Sequence, residues 1–139
     1  MNASTVTTDL AQIADERVLL DVANDLTERW KAASLGVDTV GPVLQLMEAH
    51  PNWDFGVPGA LAHYVERFYK HGYEAMLVES LKRRPTSHTL WMLNRLINGE
   101  KNADSKRQYL ALLASVSQDP AQDAAVKEQA AEFLSLHAS

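Results

Sequence analysis

An all-α fold is what this sequence predicts, on three observations. Apolar residues recur at helical spacing through most of the 139 residues. Glycines and prolines punctuate those stretches, and nowhere does an apolar–polar alternation persist long enough for a strand. Pro51, Pro85 and Pro120 lie 34 and 35 residues apart, and each interval has room for two helices. That length is typical of stacked helix–turn–helix arrays. About seven helices are expected, in stacked hairpins that are solenoid-like in the manner of HEAT repeats, or in an irregular bundle. The proline spacing favours the first arrangement. The lack of a shared side-chain consensus keeps the second open.

From the N-terminus, Thr8 or Asp9 can cap a first helix to about Ser34. Its Leu10, Ile13, Val18, Leu19, Val22, Leu26 and Trp30 keep near a 3.6-residue period, with a break near Asp15. Gly36 ends it. Asp38 opens a second helix that tolerates Pro42 in its first turn and packs Val43, Leu44, Leu46 and Met47. His50–Gly59 is the one long loop, with Trp53 and Phe55 as plugs and Asp54 facing water. A third helix is expected over Gly59–His71, carrying a Glu66–Lys70 pair one turn apart and stopped by Gly72. Tyr73–Arg84 forms a fourth, closed by Pro85. Thr86 or Ser87 caps a fifth that ends near Asn98. Asn102–Asp104 opens a sixth, and Asp119-Pro120 a seventh, whose stripe is Val126, Ala130, Phe133, Leu134 and Leu136.

Composition limits the classes of function. The chain is long enough for a single helical domain over 1–139 that buries roughly two-thirds of its unfolded surface, with 1–8 as a flexible tail. No apolar run approaches the ~18 residues of a membrane span, and Met1–Thr8 lacks the basic start and apolar core of a signal peptide. With no cysteine, disulfides and thiolate chemistry are excluded, and a cytoplasmic location is expected. Net charge is −5, distributed unevenly: residues 1–57 carry nine acidic and three basic side chains, 58–107 five and nine, and 108–139 four and one. An acidic chain whose longest basic run is Lys82-Arg83-Arg84 is a poor ligand for nucleic acid.

Chemistry is sparse. No phosphate-cradling loop, nucleophile elbow or paired-histidine zinc motif occurs, and His63 with Glu66 is the one pair at metal-ligand spacing. No enzyme activity, cofactor or metal is expected. The fifth helix is the unusual surface. Leu90, Leu93 and Ile97 mark its packing face, while His88, Trp91, Asn94, Arg95 and Asn98 fall on another. Trp91, Asn94 and Asn98 are read as structural; His88, Arg95 and Arg67 of the third helix are read as candidate contacts.

Gly56-Val57-Pro58-Gly59, His63-x-x-Glu66, Gly72-Tyr73 and the block Arg84-Pro85-Thr86-x-His88-Thr89-x-Trp91-Met92-Leu93-Asn94-Arg95-x-Ile97-Asn98 resemble segments of small all-helical immunity proteins. Such proteins are encoded beside bacterial contact-dependent or other polymorphic toxins. The resemblance covers about a third of the chain. It implies a cytoplasmic protein that binds one cognate toxin domain and blocks it without chemistry of its own. An acidic antidote gains association rate against a basic toxin such as a nuclease. Asp15, Asp21, Asp25 and Glu28 on the first helix are then the candidate contacts. A helical-repeat adaptor for an endogenous protein is the alternative.

Overall fold

The computed structural model describes residues 3–137. Among them every regular element is helical: α1 (Ala3–Leu10), α2 (Glu16–Ala32), a single 3-10 turn (Val37–Thr39) leading into α3 (Val40–Ala49), α4 (Ala60–Glu66), α5 (Tyr73–Arg83), α6 (Ser87–Gly99), α7 (Ala103–Gln118) and α8 (Ala124–His137). The residues group into two compact units. The first reaches to Leu77 and the second begins at Val78, so the division falls within α5.

Eight helices replace the expected seven because the first predicted helix is two. Asp15 takes an extended conformation and its carboxylate accepts the Arg17 N–H at 2.9 Å, which makes it the N-cap of α2. The break falls where it is expected, near Asp15, and Ile13 stays buried although it lies between the two helices. Thr8 and Asp9 are inside α1 rather than capping a longer helix, and the Thr8 hydroxyl donates back to the Ser4 carbonyl at 3.0 Å. Residues 3–8, expected as part of a tail, are helical with Val6 fully buried. Residues 1 and 2 lie outside the described residues.

In the first unit α1 packs on α3 and α2 on α4. Leu19, Ala23, Leu26 and Trp30 form the inner face of α2, each roughly one turn from the next. Val18, counted on the inward stripe by its spacing, is exposed instead. Trp30 is completely buried, and its indole N–H donates to the Asp9 carboxylate at 2.9 Å. The Arg29 guanidinium lies 3.8 Å from the other oxygen of that carboxylate. Tyr64 of α4 meets the indole edge-on, ring centroids 5.2 Å apart, and Phe68 meets Tyr64 the same way at 5.7 Å. The Tyr64 hydroxyl is hydrogen-bonded to Thr39 at 3.0 Å, so the phenol's polar end is satisfied inside the core.

Pro42 falls in the first turn of α3, where its missing N–H costs nothing. Phe55 is buried in the loop after this helix, while Trp53 is half-buried and stacks on His50 at 3.7 Å. Helix α4 is shorter than expected. After Glu66 the chain continues in tight turns, with Phe68 and Tyr69 N–H groups bonded three residues back, and Lys70 adopts φ 67°. The register that would pair Glu66 with Lys70 is therefore lost; His63 Nδ1 lies 3.7 Å from Glu66 instead. The Lys70 backbone N–H donates to Glu74 in the first turn of α5.

In the second unit α7 and α8 pack together and α6 contacts both. Thr86 caps α6, and the Thr86 and Thr89 side chains each accept the other's backbone N–H at 3.1 Å. Leu90, Met92, Leu93, Leu96 and Ile97 bury its inner face. Asn102 caps α7, with Leu113 and Val116 buried, while Tyr109, Leu110 and Leu112 are not sealed in the core. Helix α8 buries Ala130 and Phe133; Leu136, expected to face inward, is exposed. Each interval between Pro51, Pro85 and Pro120 contains two helices, α4–α5 and α6–α7.

Replacing Asp9 by alanine leaves the Trp30 N–H buried without its acceptor. Urea unfolding should show a loss of about 1–3 kcal/mol. An unchanged midpoint would show that this bond does not hold α1 on α2.

Candidate partner-binding surface

Opposite its buried stripe, α2 presents Asp21, Asp25 and Glu28 to solvent. Asp25 lies 3.7 Å from Arg29 and Glu28 lies 2.5 Å from Lys31, whereas Asp21 has no ion-pair partner among the described residues. Exposed pairs of this kind are worth little and leave their carboxylates accessible. Asp15 differs from the other three. It is committed to the helix cap and to Arg17, whose guanidinium is 2.9 Å away. That guanidinium, and then the Arg17 N–H, hold the Asp15 carboxyl below its ordinary value. At Asp119, preceding α8, the Ala121 N–H and the Gln122 side chain act in the same direction.

A cleft of about 300 Å³ separates α2 from α4. Asn24, Thr27, Glu28 and Lys31 line one side, and His63, Tyr64 and Arg67 line the other. Arg67, a sequence candidate, is exposed with its guanidinium 5.6 Å from the Tyr64 ring centroid. A second cleft of about 390 Å³ lies between α1 and α3, with Leu10, Ile13, Pro42, Leu46 and His50 on its walls.

The row on α6 forms as its spacing requires. His88 and Arg95 flank Trp91, at 5.7 Å between ring centroids and 5.2 Å from guanidinium to ring. Trp91 and Arg95 are half-buried rather than sealed in the core. The Asn94 side-chain carbonyl accepts a 2.7 Å hydrogen bond from His137, which ties α6 to α8. Asn98 is exposed near the helix end. Arg67 belongs to the first unit and Arg95 to the second.

Two further apolar side chains stand in water, and neither was expected there. Val57 is 87% exposed and Leu20 51% exposed. The signal for Leu20 is the Leu19-Leu20 pair, since adjacent helical residues lie 100° apart and cannot both point at one core. Val57 is marked by its place in Gly-Val-Pro-Gly, a segment whose turn chemistry is legible but whose direction is not. Among the described residues no three His, Asp or Glu side chains converge as a metal site would need, and His63–Glu66 stands as a pair. No described helix is long and apolar enough to cross a membrane. No protein-family model, curated protein or solved structure matches this chain.

A folded-state pKa held below the unfolded one stabilises above the unfolded value and is lost as pH falls through the folded one. The Asp15 cap should therefore persist through neutral pH and release only in acid, below the ordinary 3.8. Carboxyl NMR titration should show this, and Arg17→Ala should move Asp15 back up toward that value. An Asp15 titration insensitive to Arg17 would contradict the assigned cause. Because Trp91 is half-buried, Trp91→Ala should cost about 1–3 kcal/mol in thermal or urea unfolding, less than the ~3–5 of a sealed ring.

Proposed function

We propose that the protein is an immunity protein, which binds a cognate secreted toxin domain in the cytoplasm and blocks it by occlusion. One observation carries the reading: α2 turns Asp21, Asp25 and Glu28 outward in a single row instead of spending them on the fold. Such a row attracts a basic partner and accelerates encounter. Toxins that act on nucleic acid are of this kind, since phosphate binding requires basic surfaces. The segment resemblance over 56–98 points to the same class. Neutralisation needs surface complementarity and no catalytic group.

A divergent array of stacked helical hairpins would suit the role, and two helices in each proline interval support it. In this reading the half-buried Trp91 and the Asn94–His137 bond serve mainly to hold α6 against its neighbours.

The test is co-production with the toxin domain encoded directly upstream. Protection and a stable one-to-one complex are expected. Reversing charge at Asp21 and Glu28 together should slow association roughly tenfold at low ionic strength and flatten its salt dependence. A failure to protect or co-purify, with a housekeeping protein captured instead, would transfer the chain to the adaptor class.

A further inference from the structure

Leu20, half exposed, and Val57, almost fully exposed, are not among the buried residues of the first unit. The two come from separate elements that are held together. The Asp54 N–H donates to Glu16 Oε2 of α2 at 2.6 Å, and a Cβ placed on Gly56 would sit 3.6 Å from the Leu20 side chain. The loop that carries Val57 is anchored on both sides. Phe55 is buried before it, and the Asp54 carboxylate accepts the Gly56 N–H at 2.9 Å. After it, Gly59 at φ 89° passes so close to the Phe55 carbonyl that a Cβ would collide, at 1.7 Å. Val57 is itself β-branched, with little rotamer freedom to lose. An apolar side chain held rigidly in water costs little more to immobilise on binding.

Acidic side chains outnumber basic ones around this pair. Glu16, Asp21 and Asp54 are exposed beside it along the sequence, and Asp25 and Glu28 continue the row up α2. The nearest cation in sequence, Arg17, is paired with Asp15. Leu20 also stands one turn before Asn24, which lines the α2–α4 cleft, and Val57 stands three residues before Ala60 on the opposite wall.

We infer that Leu20 and Val57 are the apolar centre of the toxin-docking surface, and that they receive an apolar side chain projecting from a basic face of the toxin domain. The inference rests on the immunity reading and adds its seat: the α2 side of the first unit, with the loop tip as anchor. The carboxylates set encounter and orientation, while burial of the two apolar side chains sets residence time. Substitutions at the two kinds of position therefore act on different rate constants.

Val57→Ser and Leu20→Ala, singly and together, are to be measured by surface plasmon resonance against the toxin domain encoded directly upstream. Circular dichroism and unfolding provide the folding check, and Leu136→Ser in the second unit is the control. Val57 is too exposed for its replacement to disturb folding. The expected result is a roughly tenfold or greater rise in dissociation rate for the double variant, with association nearly unchanged and the Leu136 variant wild-type. Binding by the wild type with dissociation unaffected by Val57→Ser and the double variant would overturn this inference and leave the immunity reading standing. An unchanged double variant with weakened Leu136→Ser would place the contact on α8 instead. Absence of any complex with the wild-type chain would overturn the immunity reading and this inference with it.

Discussion

The buried hydrogen bond from the Trp30 indole to Asp9 governs the first unit. A carboxylate in a residue only 6% exposed is costly unless it is satisfied, and here it takes the indole N–H on one oxygen and faces Arg29 on the other. The bond joins the end of α1 to the last turns of α2. Through the ring edge Trp30 also reaches Tyr64 of α4, and through the Tyr64 hydroxyl the chain of contacts ends on Thr39. Four elements are thus positioned by one aromatic cluster and its two polar ends. Apolar packing alone tolerates sliding of one helix over another; a satisfied polar pair in the core tolerates much less.

That rigidity bears on the surface. With the inner side of α2 fixed by Leu19, Leu26 and Trp30, its outer side has no freedom to turn. Asp21, Asp25 and Glu28 must face water, and Leu20 must emerge at the boundary beside the loop. The loop is fixed in turn by Phe55 below and by Glu16 at its base. The features proposed to meet a partner are therefore set by groups that never touch it. A face set in this way is preorganised, and little is lost in ordering it on contact.

The second unit offers a different kind of surface. His88, Trp91 and Arg95 lie together on α6, each in contact with the next, and Asn94 is bonded to His137 of α8. Side chains already engaged with one another have less to offer a newcomer than an exposed carboxylate row does. The distinctive residues of the sequence and the accessible ones are consequently in different places. Residue rarity reflects how demanding a packing environment is, whereas a docking face can be built from common residues in the right direction.

Much of the helical content was legible in the chain. Period, caps and breakers located α3, α5, α6 and α7 closely, because each signal is local, as where Thr86 caps the helix it precedes. Gly36 does not end α2 as expected: Ser34, at φ 55°, follows its last turn, and Gly36 is extended ahead of the 3-10 turn. The α6 row was legible for the same reason, as helical geometry alone brings His88, Trp91 and Arg95 together. The break near Asp15 was legible, whereas the early end of α4 was hidden, since Phe68 keeps the apolar period while the backbone leaves the helix. Asp9 shows the limit most clearly. In sequence it is an acidic residue suited to a cap; in the fold it is the buried acceptor for an indole 21 positions away. Sequence determined which segments are helical and what charge they carry. Only tertiary structure decided which carboxylates are consumed inside and which apolar residues are left outside, because that choice depends on distant partners that local propensity does not encode.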